Sequence, residues 1–358
     1  MNTTRQTGLF EGELMDASSA FPSTRYQGSK NKIVDWIFEC AQDLEFENVL
    51  DAFGGTGCVG YMFKKCGKQV FYNDYLKFNY LIGLALIENN NTFLSKQDLE
   101  FILKKHEDID YPTFIQDTFH DIYFTDEENA WLDRVITNVQ NIDDKYKQAL
   151  AYFSLFQSCI IKRPYNLFHR KNLYVRTADV NRSFGNKKTW DTPFEKHFSK
   201  FVGESNDAVF DNRKNNVAFQ SDVFEWDYTK PDLVYIDTPY ISAKGVGVNY
   251  FDFYHFLEGL VRYYEWPKII DHKSKHKKIK NGKSEWCNKD EIHKAFQKLF
   301  AKFADSSLLV SYRDDGVPPV NDLVEMLKDQ GKKVEVKNTH YKYVLSNNKS
   351  AEVLILAK

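Results

Sequence analysis

Paired cysteines are missing from this chain of 358 residues. It holds five, at 40, 58, 66, 159 and 287, an odd number with no C-x-x-C spacing. That pattern argues against a disulfide framework and a cysteine zinc site, and for free thiols in a reducing compartment. No apolar run approaches membrane-spanning length, and the opening "MNTTRQTGLFEGELMDASS" lacks the apolar stretch of a signal peptide. A soluble, cytoplasmic protein without a membrane partner is expected. No histidine pair shows H-x-x-x-H helix spacing with an acid between its members (His272 and His276 enclose only Lys and Ser), so no metal is expected. Charge of one sign is lacking too: 48 Lys and Arg stand against 50 Asp and Glu. A globally basic nucleic-acid binder is excluded, and any such site must be a local patch. Neither repeats nor low-complexity stretches occur. What the chain does have is aromatic content, 21 Tyr and 29 Phe, enough for a core and for stacking surfaces.

Strand and helix patterns alternate in two blocks. The first predicts helices over 30–42, 57–66 and 76–89 around strands 48–53 and 69–74. The second predicts strands 216–220, 233–237, 307–312, 332–337 and 352–357, with helices over 251–264, 289–303 and 320–330. Helices are expected between the first six of these seven strands. Such alternation implies an α/β fold, a mainly parallel sheet covered on both faces. The last two strands are too close for a crossover and should pair as an antiparallel hairpin. Between the blocks, 95–160 reads as helical and 162–215 as irregular, basic and aromatic. The expected organisation is a catalytic domain of 25–91 and 215–358 interrupted by an inserted, mainly helical domain of 92–214.

The segment "LDAFGGTGCVGYMF" (50–63) joins the first strand to its helix. Gly55, Gly57 and Gly60 satisfy G-x-G-x-x-G, with Asp74 at the end of the second strand, so a nicotinamide or flavin enzyme is one reading. Asp51, at the strand tip, opposes it, because a carboxylate there repels a pyrophosphate. A ligand with an ammonium group would welcome Asp51, and a ribose diol would suit Asp74. S-adenosylmethionine carries both. Upstream, "RYQGSKNKIVDWI" (25–37) reads as a capped helix start that offers Lys30 and backbone N–H groups to an anion such as a carboxylate.

The run "LVYIDTPYI" (233–241) carries a buried-looking strand into Asp237, Thr238, Pro239 and Tyr240. Asp-Thr-Pro is ordinary turn chemistry, but it also suits an amine acceptor. The lone pair of a nucleobase amine is delocalised into the ring, and two acceptors aimed at its protons favour a pyramidal nitrogen. Asp237 supplies one. The Thr238 carbonyl supplies the other, its direction set by Pro239, and Tyr240 offers a face for an extruded base.

The motif Asp51-x-Phe53-x-Gly55-x-Gly57, followed by Asp237-Thr238-Pro239-Tyr240, resembles the DNA adenine-N6 methyltransferases, whose signatures are D/E-x-F-x-G-x-G and D-P-P-Y. The resemblance implies a Rossmann-like seven-stranded sheet, S-adenosylmethionine as cofactor, base flipping, and a role in a restriction-modification or phage modification system. "YQGSKNKIVDWI" resembles the cofactor helix of the subgroup that inserts its DNA-recognition domain between the two signatures. On that resemblance Tyr26, Gly28, Lys30, Asp51, Phe53, Gly55, Gly57 and Asp74 bind the cofactor, and Asp222 of "AFQSDVF" meets its adenine amine. Thr238 departs from the usual proline.

Double-stranded DNA is the expected partner, and a cognate endonuclease acting separately a second. Segment 161–190 carries eight Lys and Arg against one acid, Asp179, with Tyr165, Phe168, Tyr174 and Phe184 interleaved. Lys162, Arg163, Arg170, Lys171, Arg176, Lys187 and Lys188 are the candidates for phosphate and base-edge contact, although a solvated loop gives the same pattern. A second run, 268–283, has seven Lys and reads as a mobile loop touching phosphate nonspecifically. Cytosine-N4 or RNA methylation, a nicotinamide-dependent oxidoreductase and a cofactor-free DNA-binding module are the rival readings.

Overall fold

The computed structural model describes residues 19–180, 187–242, 245, 247–280, 284–342 and 351–358. The opening stretch 1–18, Arg182 and Phe184 of the basic segment, and Lys283 of the second run lie outside the described residues. The chain opens with α1 (Val34–Ala41), β1 (Asn48–Asp51), α2 (Cys58–Lys65), β2 (Gln69–Asp74) and α3 (Lys77–Gly83), which continues as a π-helical turn over Leu84–Glu88. The insert adds α4 (Lys96–Leu103), α5 (Phe114–Thr118), α6 (Asp126–Gln140), α7 (Lys145–Ile161), α8 (Leu173–Thr177), α9 (Lys187–Asp191) and α10 (Phe194–Asp207). There follow β3 (Val217–Gln220), β4 (Leu233–Ile236), β5 (Ile241–Ser242), α11 (Tyr250–Val261), α12 (Trp266–Ile269) and α13 (Ile292–Lys302). The chain closes with β6 (Ser307–Arg313), β7 (Gly316–Val317), α14 (Val320–Asp329), β8 (Val334–Lys342) and β9 (Ala351–Ala357).

Seven strands form one sheet in the order β3-β2-β1-β4-β6-β9-β8. The first five are parallel, and β9 runs antiparallel between β6 and β8. β4 is buried along its whole length, as a parallel strand covered on both faces must be. One expectation fails here, and one pairing has no counterpart in the sequence reading. No helix separates β3 from β4, only the 3₁₀ turn Val223–Glu225. The short strands β5 and β7 pair antiparallel as a separate ribbon, a pairing of two-residue segments too short to leave a periodic signal.

One apolar cluster covers a face of the sheet and runs on through α3 into α7 and α10. Helix α7 is buried at every residue from Ala149 to Ile161, apolar around most of its circumference as a core helix is. Phe78 of α3 meets Phe156 of α7 edge-on at 5.7 Å. The insert therefore shares its core with the sheet's own helices. A second cluster, around Leu50, Val234, Ile236, Phe296, Phe300 and Leu327, fills the opposite face.

The basic segment is partly turned inward. Glu128 closes a capping box at the start of α6 through Thr125, while its Oε1 takes Lys162 at 2.8 Å and Arg176 at 2.7 Å. The second lysine run is not a loose loop in its described part. Ile270 and Ile279 are buried and bridged, and the His276 carbonyl lies 3.0 Å from the buried Tyr123 hydroxyl. Among the described residues no helix is long and apolar enough to cross a membrane.

Glu128→Ala strands two buried cations and removes a cap. Denaturant unfolding should show a loss of about 3 kcal/mol or more. A variant as stable as wild type would show that Lys162 and Arg176 need no counter-charge.

Candidate active site

The carboxyl ends of β1, β2, β3 and β4 bring Asp51, Asp74, Asp222 and Asp237 to the rim of one cleft of about 1010 Å³. Open parallel sheets bind ligands at this edge. Of the nine residues expected to bind a cofactor, eight line the cleft, namely all but Gly57.

Glycine is required in the loop after β1. Gly55 and Gly57 hold φ of 52° and 74°, left-handed values that side chains disfavour. Tyr72 of β2 fixes the loop from below, donating its hydroxyl proton to the Gly55 or Asn79 carbonyl at 2.8 and 3.0 Å. A Cβ at Gly54 would fall 2.0 Å from that ring. Asp74 accepts from Gly55 N at 2.9 Å and Asn79 Nδ2 at 3.1 Å on one oxygen, and from Leu76 N at 2.8 Å on the other. Burial raises its carboxyl above the ordinary range, and these donors pull back against that.

Asp51 is less well served. Its Oδ2 accepts from Gly60 N at 3.1 Å, while Oδ1 is buried without a partner among the described residues. Burial, with Asp237 adding to it, pushes this carboxyl up to about 8. An unpartnered buried acceptor of this kind suits a cationic donor. Phe53 meets Trp286 edge-on at 5.2 Å, and Trp286 stacks on Phe224 at 5.8 Å. Asp222 accepts from Phe224 N at 3.0 Å.

Lys30 does not reach out to an anion as the sequence suggests. It is 3% exposed and donates to Asp237 Oδ1 at 2.8 Å and to the Tyr240 hydroxyl at 2.6 Å, with Glu352 Oε1 at 3.4 Å. Burial works against the ammonium charge, but Asp237 and Glu352 outweigh it and hold Lys30 well above the usual lysine range. Its segment is pinned by Tyr26, stacked on Tyr254 at 4.4 Å and on Tyr250 at 5.6 Å. Gly28 has φ +85°, and a Cβ there would fall 2.3 Å from the Tyr250 hydroxyl.

Asp237 follows β4 directly. Lys30 and the Tyr240 hydroxyl, 2.6 Å away, both serve its Oδ1, and no described partner takes Oδ2. Burial raises this carboxyl despite the Lys30 pairing. Thr238 is buried with its hydroxyl unpartnered, and Pro239 lines the cleft. Tyr240 corrects the expectation of an exposed stacking face. It is 6% exposed, packed edge-on against Tyr312 at 5.8 Å, because its hydroxyl is drawn into the Lys30 cluster. Tyr250 is one of several aromatics on the cleft wall, beside Tyr75, Phe251 and Trp286.

Three of the seven expected DNA contacts are also corrected. Lys162, Arg163 and Arg176 are buried. Lys162 donates to the Trp190 and Thr192 carbonyls at 2.7 and 2.6 Å. Arg163 ties the Leu167, Tyr123 and Arg170 carbonyls, and Arg176 reaches the Tyr123 and Trp190 carbonyls. They build the segment instead of facing a ligand. Arg170, Lys171, Lys187 and Lys188 are exposed, with Lys171 on Asp121 at 2.8 Å and Lys187 beside Asp191 at 3.7 Å. Sequence reasoning passed over Tyr250, Trp286 and Glu352. Only Glu352 left a signal, as the one acid in an apolar strand. Among the described residues no group of His, Cys, Asp and Glu is placed to hold a metal ion.

Residues 26–311 match the D12 class N6 adenine-specific DNA methyltransferases. The chain is 31% identical to the Type II methyltransferase M2.HphI of Haemophilus parahaemolyticus over 94% of its own length and 98% of that protein. It is 24% identical to the Type II methyltransferase M.NlaIII of Neisseria lactamica, over 88% and 91% of the two chains. It matches the Modification methylase LlaI of Lactococcus lactis subsp. lactis at 25% identity, over 91% of this chain and 52% of that one.

Lys30→Met leaves two buried carboxylates without their cation, which raises the Asp237 carboxyl further above its unfolded value. A carboxyl raised in the folded state stabilises fully below the unfolded value, about 3.9, and that stability is lost as pH rises through the folded one. The melting temperature of Lys30→Met should therefore fall more steeply than that of wild type as pH rises from acid to neutral. Parallel profiles would mean that the cluster carries no net charge strain.

Proposed function

Since the chain belongs to the D12 class N6 adenine-specific DNA methyltransferases and methylates the N6 amine of adenine in DNA, we propose that Asp237 and Thr238 carry the chemistry and that the methyl donor is S-adenosylmethionine. The observation that carries this reading is the state of Asp237. Two donors occupy Oδ1 and leave Oδ2 as an acceptor in a cleft that also holds the unpartnered Asp51. Membership in this family sets aside the oxidoreductase, RNA, cytosine and cofactor-free readings.

The cleft fits the donor. Asp51 Oδ1 suits its ammonium group, Asp74 its ribose diol, Asp222 its adenine amine, and the Gly55–Gly57 turn lets backbone approach it closely. When bound, the donor supplies an electrophilic methyl group on a sulfonium. The chain's residues prepare the acceptor. Asp237 Oδ2 and the Thr238 carbonyl accept the two protons of the adenine amine and draw its nitrogen toward a pyramidal shape, which returns the lone pair to it. Asp237 is the base within reach of the proton that this nitrogen gives up on methylation. Tyr250 supplies the stacking face for an extruded base.

DNA is held by the exposed cations of the insert, Arg170, Lys171, Lys187 and Lys188, with residues 92–214 acting as the recognition domain on the 25–91 and 215–358 catalytic frame. We further propose a double strand recognised at a specific sequence and a modification system with a separate endonuclease; relatives named Type II methyltransferase and Modification methylase support a modification role.

Asp237→Ala should abolish tritium transfer to DNA at saturating donor and leave donor binding intact. Activity near wild type would reduce Asp237 to a turn residue. Donor affinity should rise between about pH 6 and pH 7.5, by at most about tenfold per unit, as Asp51 loses its proton while the donor's ammonium keeps its own. Calorimetry on Asp51→Asn should show weaker binding with that slope removed, and an unchanged slope would place the ammonium elsewhere. Replacing Arg170 and Lys171 with alanine should weaken DNA binding and flatten its salt dependence by about one unit of slope per lost phosphate contact. Unaltered filter binding across salt would move recognition to another part of the insert.

A further inference from the structure

Strand β9 is apolar from Val353 to Ala357, yet it carries Glu352, fully buried. A buried carboxylate is costly unless it is paired and hydrogen-bonded, and this one is. Ser311 Oγ donates to its Oε1 at 2.6 Å, the Tyr240 hydroxyl stands 3.2 Å away and Lys30 Nζ 3.4 Å. Two of these three partners are the groups that grip Asp237 Oδ1.

We infer that Glu352 is a positioning residue for methyl transfer: it draws Lys30 and Tyr240 onto Asp237 Oδ1 and so fixes which carboxylate oxygen meets the target amine. The inference rests on the reading of Asp237 as the acceptor of the amine's protons. Lys30 is tethered between the two carboxylates, so its ammonium cannot swing to Oδ2 without leaving Glu352. The tyrosine hydroxyl has one proton for two nearby acceptors, and the shorter distance assigns it to Asp237.

Charge works in the same direction. Asp237 is faced by Lys30 before α1, Tyr240 in its own loop, Glu352 on β9, Tyr235 on β4, Tyr250 on α11 and Asp51 on β1. Sharing Lys30 with Glu352 leaves Asp237 less neutralised than a private ion pair would, and therefore a stronger acceptor.

The test is the pH profile of single-turnover methyl transfer at saturating donor and DNA, with both affinities measured, for wild type, Glu352→Gln, Glu352→Asp and Asp237→Asn. Glu352→Gln should slow transfer by about tenfold or more, the scale on which supporting partners act at metal ligands. Its acid limb should move about one unit or more to lower pH, with both affinities unchanged. Glu352→Asp keeps the charge but withdraws it from Lys30 and Tyr240, so its rate should fall while its limb stays. A wild-type profile in Glu352→Gln overturns the inference. So does a rate loss that comes with weakened donor binding and an unmoved limb, which would make Glu352 a residue that only holds the fold. If Glu352→Gln does not fold, a wild-type rate in Glu352→Asp overturns the positioning role by itself. Full activity in Asp237→Asn would sink the reading of Asp237, whereas an inactive Asp237→Asn beside an unaffected Glu352→Gln sinks this inference alone.

Discussion

The ammonium group of Lys30 joins three parts of the chain that sequence keeps far apart. It comes from the segment ahead of α1, bonds Asp237 after β4 and lies against Glu352 on β9. Because β9 runs antiparallel between β6 and β8, the last strand of the fold also walls the loop that carries Asp237 and Tyr240. An isolated charge here would be strongly unfavourable, and two carboxylates around one cation are tolerable only because Tyr240 and Ser311 complete their hydrogen bonds. The position of Asp237 thus depends on the sheet closing correctly at its far end.

The same physics separates the basic residues of the insert into two groups. Lys162, Arg163 and Arg176 spend their donors on backbone carbonyls of a segment with little regular structure, whose polar groups would otherwise be buried without partners. That segment includes Tyr165 and Asn166, both with left-handed φ, so the turn is held by side chains instead of by backbone preference. Arg170, Lys171, Lys187 and Lys188 remain at the surface, carried on a frame that the buried cations make rigid. A DNA-facing role for the second group is compatible with an architectural role for the first.

The sheet was legible because short apolar runs bounded by turn residues alternate with amphipathic helices of clear period, and the glycine loop because φ above zero leaves few choices of residue. The acids at the strand tips were legible for a related reason: in a parallel sheet, chain direction alone brings every strand's carboxyl end to one edge. Which way Tyr240 and Lys30 point was not legible. Their orientation is decided by Glu352, more than a hundred residues beyond Tyr240, and no local pattern records that pairing. A charge run likewise cannot say which members face inward. Lys162 and Lys171 look alike in sequence and each finds a carboxylate, but Lys162 is buried against Glu128 and two backbone carbonyls while Lys171 meets Asp121 at the surface.

Acidity at the strand ends also bears on what the cleft admits. Asp51, Asp74, Asp222 and Asp237 line it, and strand ends set with acids offer phosphate little attraction. A DNA backbone would be held at the rim by the insert's cations, while an uncharged base enters. Inside, Asp237 Oδ2 is an acceptor in need of a donor, and the proposed partner acceptor for the base is the Thr238 carbonyl. Adenine and cytosine present an amine there, whereas thymine and guanine present carbonyl oxygens at the corresponding position. Acceptor against acceptor leaves buried groups unpaired, at a cost of about 1–3 kcal/mol each. With Asp237 as the proposed acceptor, hydrogen-bond polarity alone would disfavour two of the four bases, and the choice between the remaining two would fall to the shape of the cleft wall, where Tyr250 and Pro239 lie.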